Sequence, residues 1–151
     1  MSGDLQGSIR KYCSCLQEWN ASYEDYARSV GLSFTSLSIL STIYAHENCT
    51  QKMLCEICFL PKQTVNGVIR QFCKDGWISL IEMAKDRRNK AIRFTEQGRQ
   101  AAGDILRRVR QSEQAAMQSL SPQEQSALLT LTRCYVLAWK KAMEAPSKGD
   151  T

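Results

Sequence analysis

The chain has 151 residues, of which 43% are hydrophobic and 23% charged, and a formal net charge of +5. That is enough chain for one domain with a real core, or a domain plus a dimerisation element, and it excludes a collagenous, low-complexity or globally disordered protein. No run approaches the ~18 apolar residues of a membrane span. The opening residues, "MSGDLQGSIRKYCSCLQEW", lack the layout of a signal peptide, so the expected compartment is the cytoplasm. There the seven cysteines read mostly as small buried hydrophobes, being odd in number and scattered through helical patterns.

The first predicted element is a long helix. Leu5, Ile9, Tyr12, Leu16, Trp19, Tyr23, Tyr26 and Val30 are spaced 4, 3, 4, 3, 4, 3, 4, a heptad-like seam. Little chain precedes it, so the seam must meet later helices or a second subunit. Gly31 ends it. Ser33 caps a second helix carrying Leu37, Ile39, Leu40, Ile43 and Tyr44. After "HENC", Thr50 caps a short third helix, expected to turn Leu54, Ile57 and Cys58 inward. "FLP" breaks the chain, with Pro61 in a first helical turn. The fourth helix buries Val65, Val68, Ile69 and Phe72 and stops at Gly76.

"WISLIEM" and "KAIRFT" are short β-type runs, expected to form an antiparallel hairpin around the charged stretch Ala84 to Lys90. Thr95 caps a fifth helix with apolar positions at Ala102, Ile105, Leu106, Val109, Ala116 and Met117. "SPQE" is a capping box with Ser121 at the N-cap, Pro122 at N1 and Glu124 at N3. It opens a last helix whose inner face is expected to hold Leu128, Leu131, Tyr135, Ala138 and Trp139. There is no internal repeat or linker, so the reading is one domain of order α-α-α-α-β-β-α-α.

Two short helices joined by a tight turn and followed by a hairpin make a winged helix-turn-helix, whose second helix enters the major groove. The apolar stripe of the fourth helix leaves Lys62, Gln63, Thr64, Asn66, Gly67 and Arg70 facing out. Gln and Asn pair bidentately with adenine, while Lys and Arg reach guanine or phosphate. Lys85, Arg87, Arg88 and Lys90 form the cationic hairpin tip, suited to a narrow minor groove. Asp86, two positions before Arg88, is placed to hold its guanidinium by a charge-assisted hydrogen bond.

"LPKQTVNGVIRQFCKDGWI" and "KDRRNKAIRFTEQG" resemble the multiple-antibiotic-resistance regulator (MarR) family. The family's wing motif is an aspartate, any residue, an arginine, a strand ending in Leu-Thr, and a glycine three residues past the threonine. Here these are Asp86, Arg88, Phe94-Thr95 and Gly98, with Phe94 in place of leucine. "LSFTSLSILSTI" resembles the family's second-helix opening. The resemblance implies a single domain over 1–151. It is mainly α with a small β-wing, with a winged unit over about 32–98 and dimerisation helices over about 4–31 and 96–144.

It further implies a homodimer on a pseudo-palindromic double-stranded operator, with Arg88 as minor-groove contact and Gln63 and Thr64 at bases and phosphates. Its function would be that of a transcriptional regulator, most often a repressor released by a small ligand, by cysteine oxidation or by metal. Trp19, Tyr23 and Tyr26 are the candidate ligand pocket, though heptad spacing equally describes core. Cys13 and Cys15 are the candidate redox pair, but they face ~200° apart on a helix and cannot readily bond to each other.

His46, Cys49, Cys55 and Cys58 offer metal-ligand types, but the cysteines occupy packing positions, so no metal and no cofactor are expected. The alternatives are a redox-sensing regulator of the same fold and a winged-helix interaction module that reads no DNA. With one histidine and no phosphate loop, an enzyme is not expected.

Overall fold

Among the described residues, eight elements follow one another in the expected order: α1 (Leu5–Ser29), α2 (Phe34–Ala45), α3 (Gln51–Cys58), α4 (Lys62–Lys74), β1 (Ile78–Met83), β2 (Asp86–Phe94), α5 (Glu96–Gln118) and α6 (Pro122–Glu144). The structure, a computed structural model, describes residues 4–84 and 86–144, with Asp86 and Arg87 as backbone alone. It is mainly α with one antiparallel β1–β2 sheet. The chain divides into two compact units, residues 1–106 and 107–151, and α5 runs from the first into the second. Among the described residues, no helix is long and apolar enough to cross a membrane.

The helix starts are set by side chains that accept otherwise unpaired N–H groups. Ser33 Oγ accepts from Ser36 N at 3.0 Å, and Thr50 Oγ1 from Met53 N at 3.2 Å. At α6, Ser121 Oγ accepts from Glu124 N at 3.3 Å while Glu124 returns a carboxylate oxygen to Ser121 N at 2.8 Å, which completes the capping box. Those bonds hold the Glu124 carboxyl below its ordinary pKa.

Two helix ends use a left-handed glycine. At α1, Gly31 (φ 76°) donates to Arg28 and Leu32 donates back to Ala27. At α4, Gly76 (φ 73°) donates to Cys73 and Trp77 donates to Phe72. Both are Schellman closures. The second carries the apolar contact that accompanies this motif: the Trp77 and Phe72 rings stack with centroids 5.5 Å apart.

The core lies in the first unit. Leu37, Ile39, Leu40, Ile43, Leu54, Val65, Ile69, Phe72, Ile78, Ile92, Ala102 and Leu106 are all buried, drawing together α2, α3, α4, the hairpin base and the start of α5. Each large side chain there contributes about 1.5–3 kcal/mol through burial. Cys49 is fully buried with them. Burial, then the neighbouring Cys58 thiol, push its pKa up from 9.0 to about 11.

Folding therefore favours the protonated Cys49 thiol. Its contribution is fully present below pH 9.0 and is lost as pH rises toward about 11, because the unfolded thiol ionises first. Cys49→Ala should flatten the loss of stability between those pH values in denaturant titrations. An alkaline limb as steep as that of the wild type would show that Cys49 is not responsible.

Four expectations need correction. Ile57 is 42% exposed rather than inward. The eight-residue α3 instead turns Leu54 to the core with Cys55 and Cys58 partly buried beside it, and Cys58 Sγ lies 3.3 Å from Thr42 Oγ1. Pro61 is the N-cap of α4 rather than within its first turn. The stretch after Lys85 is strand, not loop: β2 begins at Asp86. Finally, no residue of α6 is buried, and Leu128, Leu131, Tyr135 and Trp139 stay 42% to 68% exposed, so the expected inner face is an exposed one among the described residues.

Candidate nucleic-acid interface

The exposed face of α4 is fixed by its buried one. Val65, Ile69 and Phe72 are at most 1% exposed, which turns Lys62, Gln63, Thr64, Gly67 and Arg70 to solvent and leaves Asn66 half-buried. The structure thus exposes every predicted α4 residue except the half-buried Asn66. An added Cβ at Gly67 would meet nothing within 4 Å. The fold therefore does not require a glycine there, although one in a helix interior costs about 1 kcal/mol relative to alanine.

The hairpin pairs Ile78 with Phe94, Ser79 with Arg93, Leu80 with Ile92, Ile81 with Ala91 and Glu82 with Lys90, and then jumps to Met83 with Asp86. Arg87, Arg88 and Asn89 fall in the jump, so the wing tip is a bulge on β2. Bulges re-aim side chains and end regular pairing. Arg88 and Lys90 are exposed there. The expected hold of Asp86 on Arg88 lies outside the described residues, as do Lys85 and the Arg87 side chain.

The base of the wing is pinned on two sides. Ile92 N donates to Cys49 O at 2.7 Å, and Thr50 forms a β-bridge with Ala91, so the chain just before α3 extends the sheet. Arg93 Nη2 donates to Asn48 Oδ1 at 2.5 Å on the same side. At the other end, Thr95 N donates to Trp77 O at 2.9 Å and Thr95 Oγ1 donates to Gly76 O at 2.6 Å. The same hydroxyl accepts from Gly98 N at 3.0 Å, which caps α5. One threonine thus latches the end of α4, the end of the wing and the start of α5.

Charge singles out the same region. Residues 62–93 hold eight Lys or Arg against three Asp or Glu, while the rest of the chain holds twelve of each. The whole +5 surplus therefore belongs to α4 and the wing. A local count along the sequence would have found this signal, which the motif reading missed.

The other predicted residues are less concentrated. Trp19 and Tyr23 meet edge to face at 5.7 Å, and Tyr23 continues to Phe34 at 5.8 Å. Phe34 was not singled out in the sequence. Tyr26 instead donates its hydroxyl to Ile105 O at 2.6 Å, tying α1 to α5. Cys13 and Cys15 are both exposed on α1. His46 sits at the exposed end of α2, with Nδ1 2.9 Å from Thr42 O. Among the described residues, no three His, Cys, Asp or Glu gather as a metal-ligand set.

A tight helix pair, a second helix with a polar exposed face and a following hairpin with a cationic tip define a winged-helix protein. Residues 30–89 match the sequence profile of the MarR family. The winged-helix part of the chain is therefore similar in sequence to the MarR family.

Solved structures with the same fold include a MarR family regulator from Neisseria meningitidis, at TM-score 0.77 and 20% identity, covering 90% of this chain and 96% of that one. A MarR transcriptional regulator from Methanosarcina mazei Go1 aligns at TM-score 0.66 and 18% identity, over 90% of this chain and 99% of its own. S. aureus MepR in a complex with DNA aligns at TM-score 0.71 and 18% identity, over 84% and 97%. No curated protein matches the chain significantly.

Proposed function

We propose that the protein is a sequence-specific, double-stranded-DNA-binding transcriptional regulator that works as a homodimer in the cytoplasm. The observation that carries this reading is that the full cationic surplus falls on α4 and the wing. An interaction module that reads no DNA would not need that localisation. The similarity to MepR, whose structure is a DNA complex, points the same way.

In this reading α4 lies in the major groove. Gln63 and Asn66 pair with adenine edges, Lys62 and Arg70 reach phosphate or guanine, and Thr64 helps set the register. Arg88 reaches the flanking minor groove, with Lys85, Arg87 and Lys90 drawn to the phosphates. Two apolar surfaces motivate the dimer. Leu5, Ile9, Leu16 and Trp19 are exposed on α1, and Leu128, Leu131, Tyr135 and Trp139 are exposed on α6. Apolar surface of that extent marks a protein partner. In a two-fold pair the α4 helices meet half-sites ~10 bp apart, or a multiple of that.

The finer role is that of a repressor. A small aromatic or apolar ligand beside Trp19 and Tyr23 would change the spacing of the two α4 helices and release the operator.

Gln63→Ala should relax base preference at one position of each half-site and leave the salt dependence of binding as steep as in the wild type. Competition binding against single-base operator variants measures this. An equal loss on every sequence would remove Gln63 from base readout. A wild-type affinity that is flat in salt, rather than falling by several log units per log unit, would remove the DNA-binding reading.

A further inference from the structure

The exposed face of α4 has a gap at its crest, at a residue to which the reading above gives no role. At 3.6 residues per turn, the buried Val65, Ile69 and Phe72 lie on average roughly 170° around the helix from Gly67. Gly67 is therefore the outermost position of α4, and it carries no side chain. Gln63, Thr64 and Arg70, all exposed, lie within about 60° of it on either side. They rim a shallow notch whose floor is helix backbone.

The fold does not call for that glycine. Gly67 lies in the interior of α4, where its backbone is ordinary helix. An added Cβ would meet nothing within 4 Å among the described residues. Glycine is the poorest helix former after proline. Its two advantages are unusual backbone angles and the close approach of another group to the backbone. A regular helix makes no use of the first, which leaves the second.

We propose that Gly67 is a specificity-determining residue: its missing side chain lets the crest of α4 settle into the major groove, which brings Gln63 and Thr64 to the DNA. This deepens the DNA-binding reading and rests on it. Thr64 makes the requirement concrete. Its hydroxyl is attached directly to Cβ, so it touches DNA only where the helix backbone itself comes close. A side chain at the crest would hold the helix away and strand that short group. The notch suits DNA rather than a protein because α4 carries Lys62, Arg70 and Lys74 and no acid. A protein-binding notch would be rimmed by apolar groups, and this rim is polar.

The test uses the full chain, a duplex that it selects from a random pool, and an unrelated duplex of the same length. Gly67→Ala should leave the thermal midpoint equal to or above that of the wild type. It should lower affinity for the selected duplex at least about fivefold, the low end of what overpacking costs. Affinity for the unrelated duplex should stay within about twofold, because phosphate contacts do not need the crest deep in the groove. Gly67→Leu, a comparable helix former with more bulk, should lose more than Gly67→Ala.

Wild-type affinity of Gly67→Ala for the selected duplex overturns the proposal. So does a lower thermal midpoint, which would give the glycine a part in the fold. Equal losses for Gly67→Ala and Gly67→Leu would trace the effect to helix stiffness and overturn it too, as would an equal loss on both duplexes. If Arg88→Ala weakens binding while Gly67→Ala does not, this proposal alone fails. If wild type selects no duplex at all, the DNA-binding reading fails with it.

Discussion

Gly98→Ala is expected to be the most destabilising single substitution of a small residue at the interface base. A Cβ at Gly98 would stand 1.9 Å from Trp77 O and 2.5 Å from Trp77 C. These are backbone atoms, so no side-chain rotation relieves the clash. The displaced carbonyl is also the acceptor for Thr95 N and Thr95 Oγ1, and Trp77 itself stacks on Phe72. Moving it therefore loosens the latch that sets the wing against α4.

The expected cost is at least ~3 kcal/mol, the upper end of the range for overpacking. At ~2–4 °C per kcal/mol for a chain of this size, the thermal midpoint should fall by about 6–12 °C. Gly67→Ala is the control: its Cβ would be in open space, and the α4 interior should gain about 1 kcal/mol. A Gly98→Ala midpoint equal to that of the wild type would contradict the close approach of Trp77.

Arg88→Ala is expected to leave the fold intact and lower operator affinity by ~1–3 kcal/mol, about 5- to 150-fold. Arg88 is exposed and falls within the β2 bulge, outside the paired rungs of the hairpin, so little packing is lost with it. The loss should be greatest on operators whose flanks are A·T-rich, where a narrow minor groove concentrates negative potential. Direct binding isotherms on operators with A·T-rich and G·C-rich flanks separate this from simple charge removal. Equal affinity of mutant and wild type on the A·T-rich operator would take Arg88 out of the interface.

What the sequence revealed follows the range of the interactions concerned. Ser33, Thr50, Thr95 and Ser121 were readable as caps because each accepts from an N–H three residues on, within its own segment. The α4 face was readable because Val65, Ile69 and Phe72 form a buried stripe at helical spacing. The bulge at Arg87 to Asn89 was not, since it is defined by which residues pair across strands, and a charged run carries no alternation to show register.

Ile57 was misplaced because an eight-residue helix gives too few turns to fix its buried arc. The α6 stripe was visible as periodicity, but periodicity does not say what covers it, and among the described residues it stays exposed. The resemblance marked Gly98 as a motif position. Its physical reason, the Trp77 carbonyl 1.9 Å from a would-be Cβ, is a contact between distant residues that only the fold supplies.

The most direct test of the central claim, that two copies of this chain read duplex DNA through α4 and the wing, is selection of bound duplexes from a random pool by the full-length protein. The recovered sequences should share a pseudo-palindrome whose half-site centres lie ~10 bp apart or at a multiple of it, one helical turn per recognition helix. A pool that stays random after selection, or a single unrepeated site without two-fold symmetry, would contradict it.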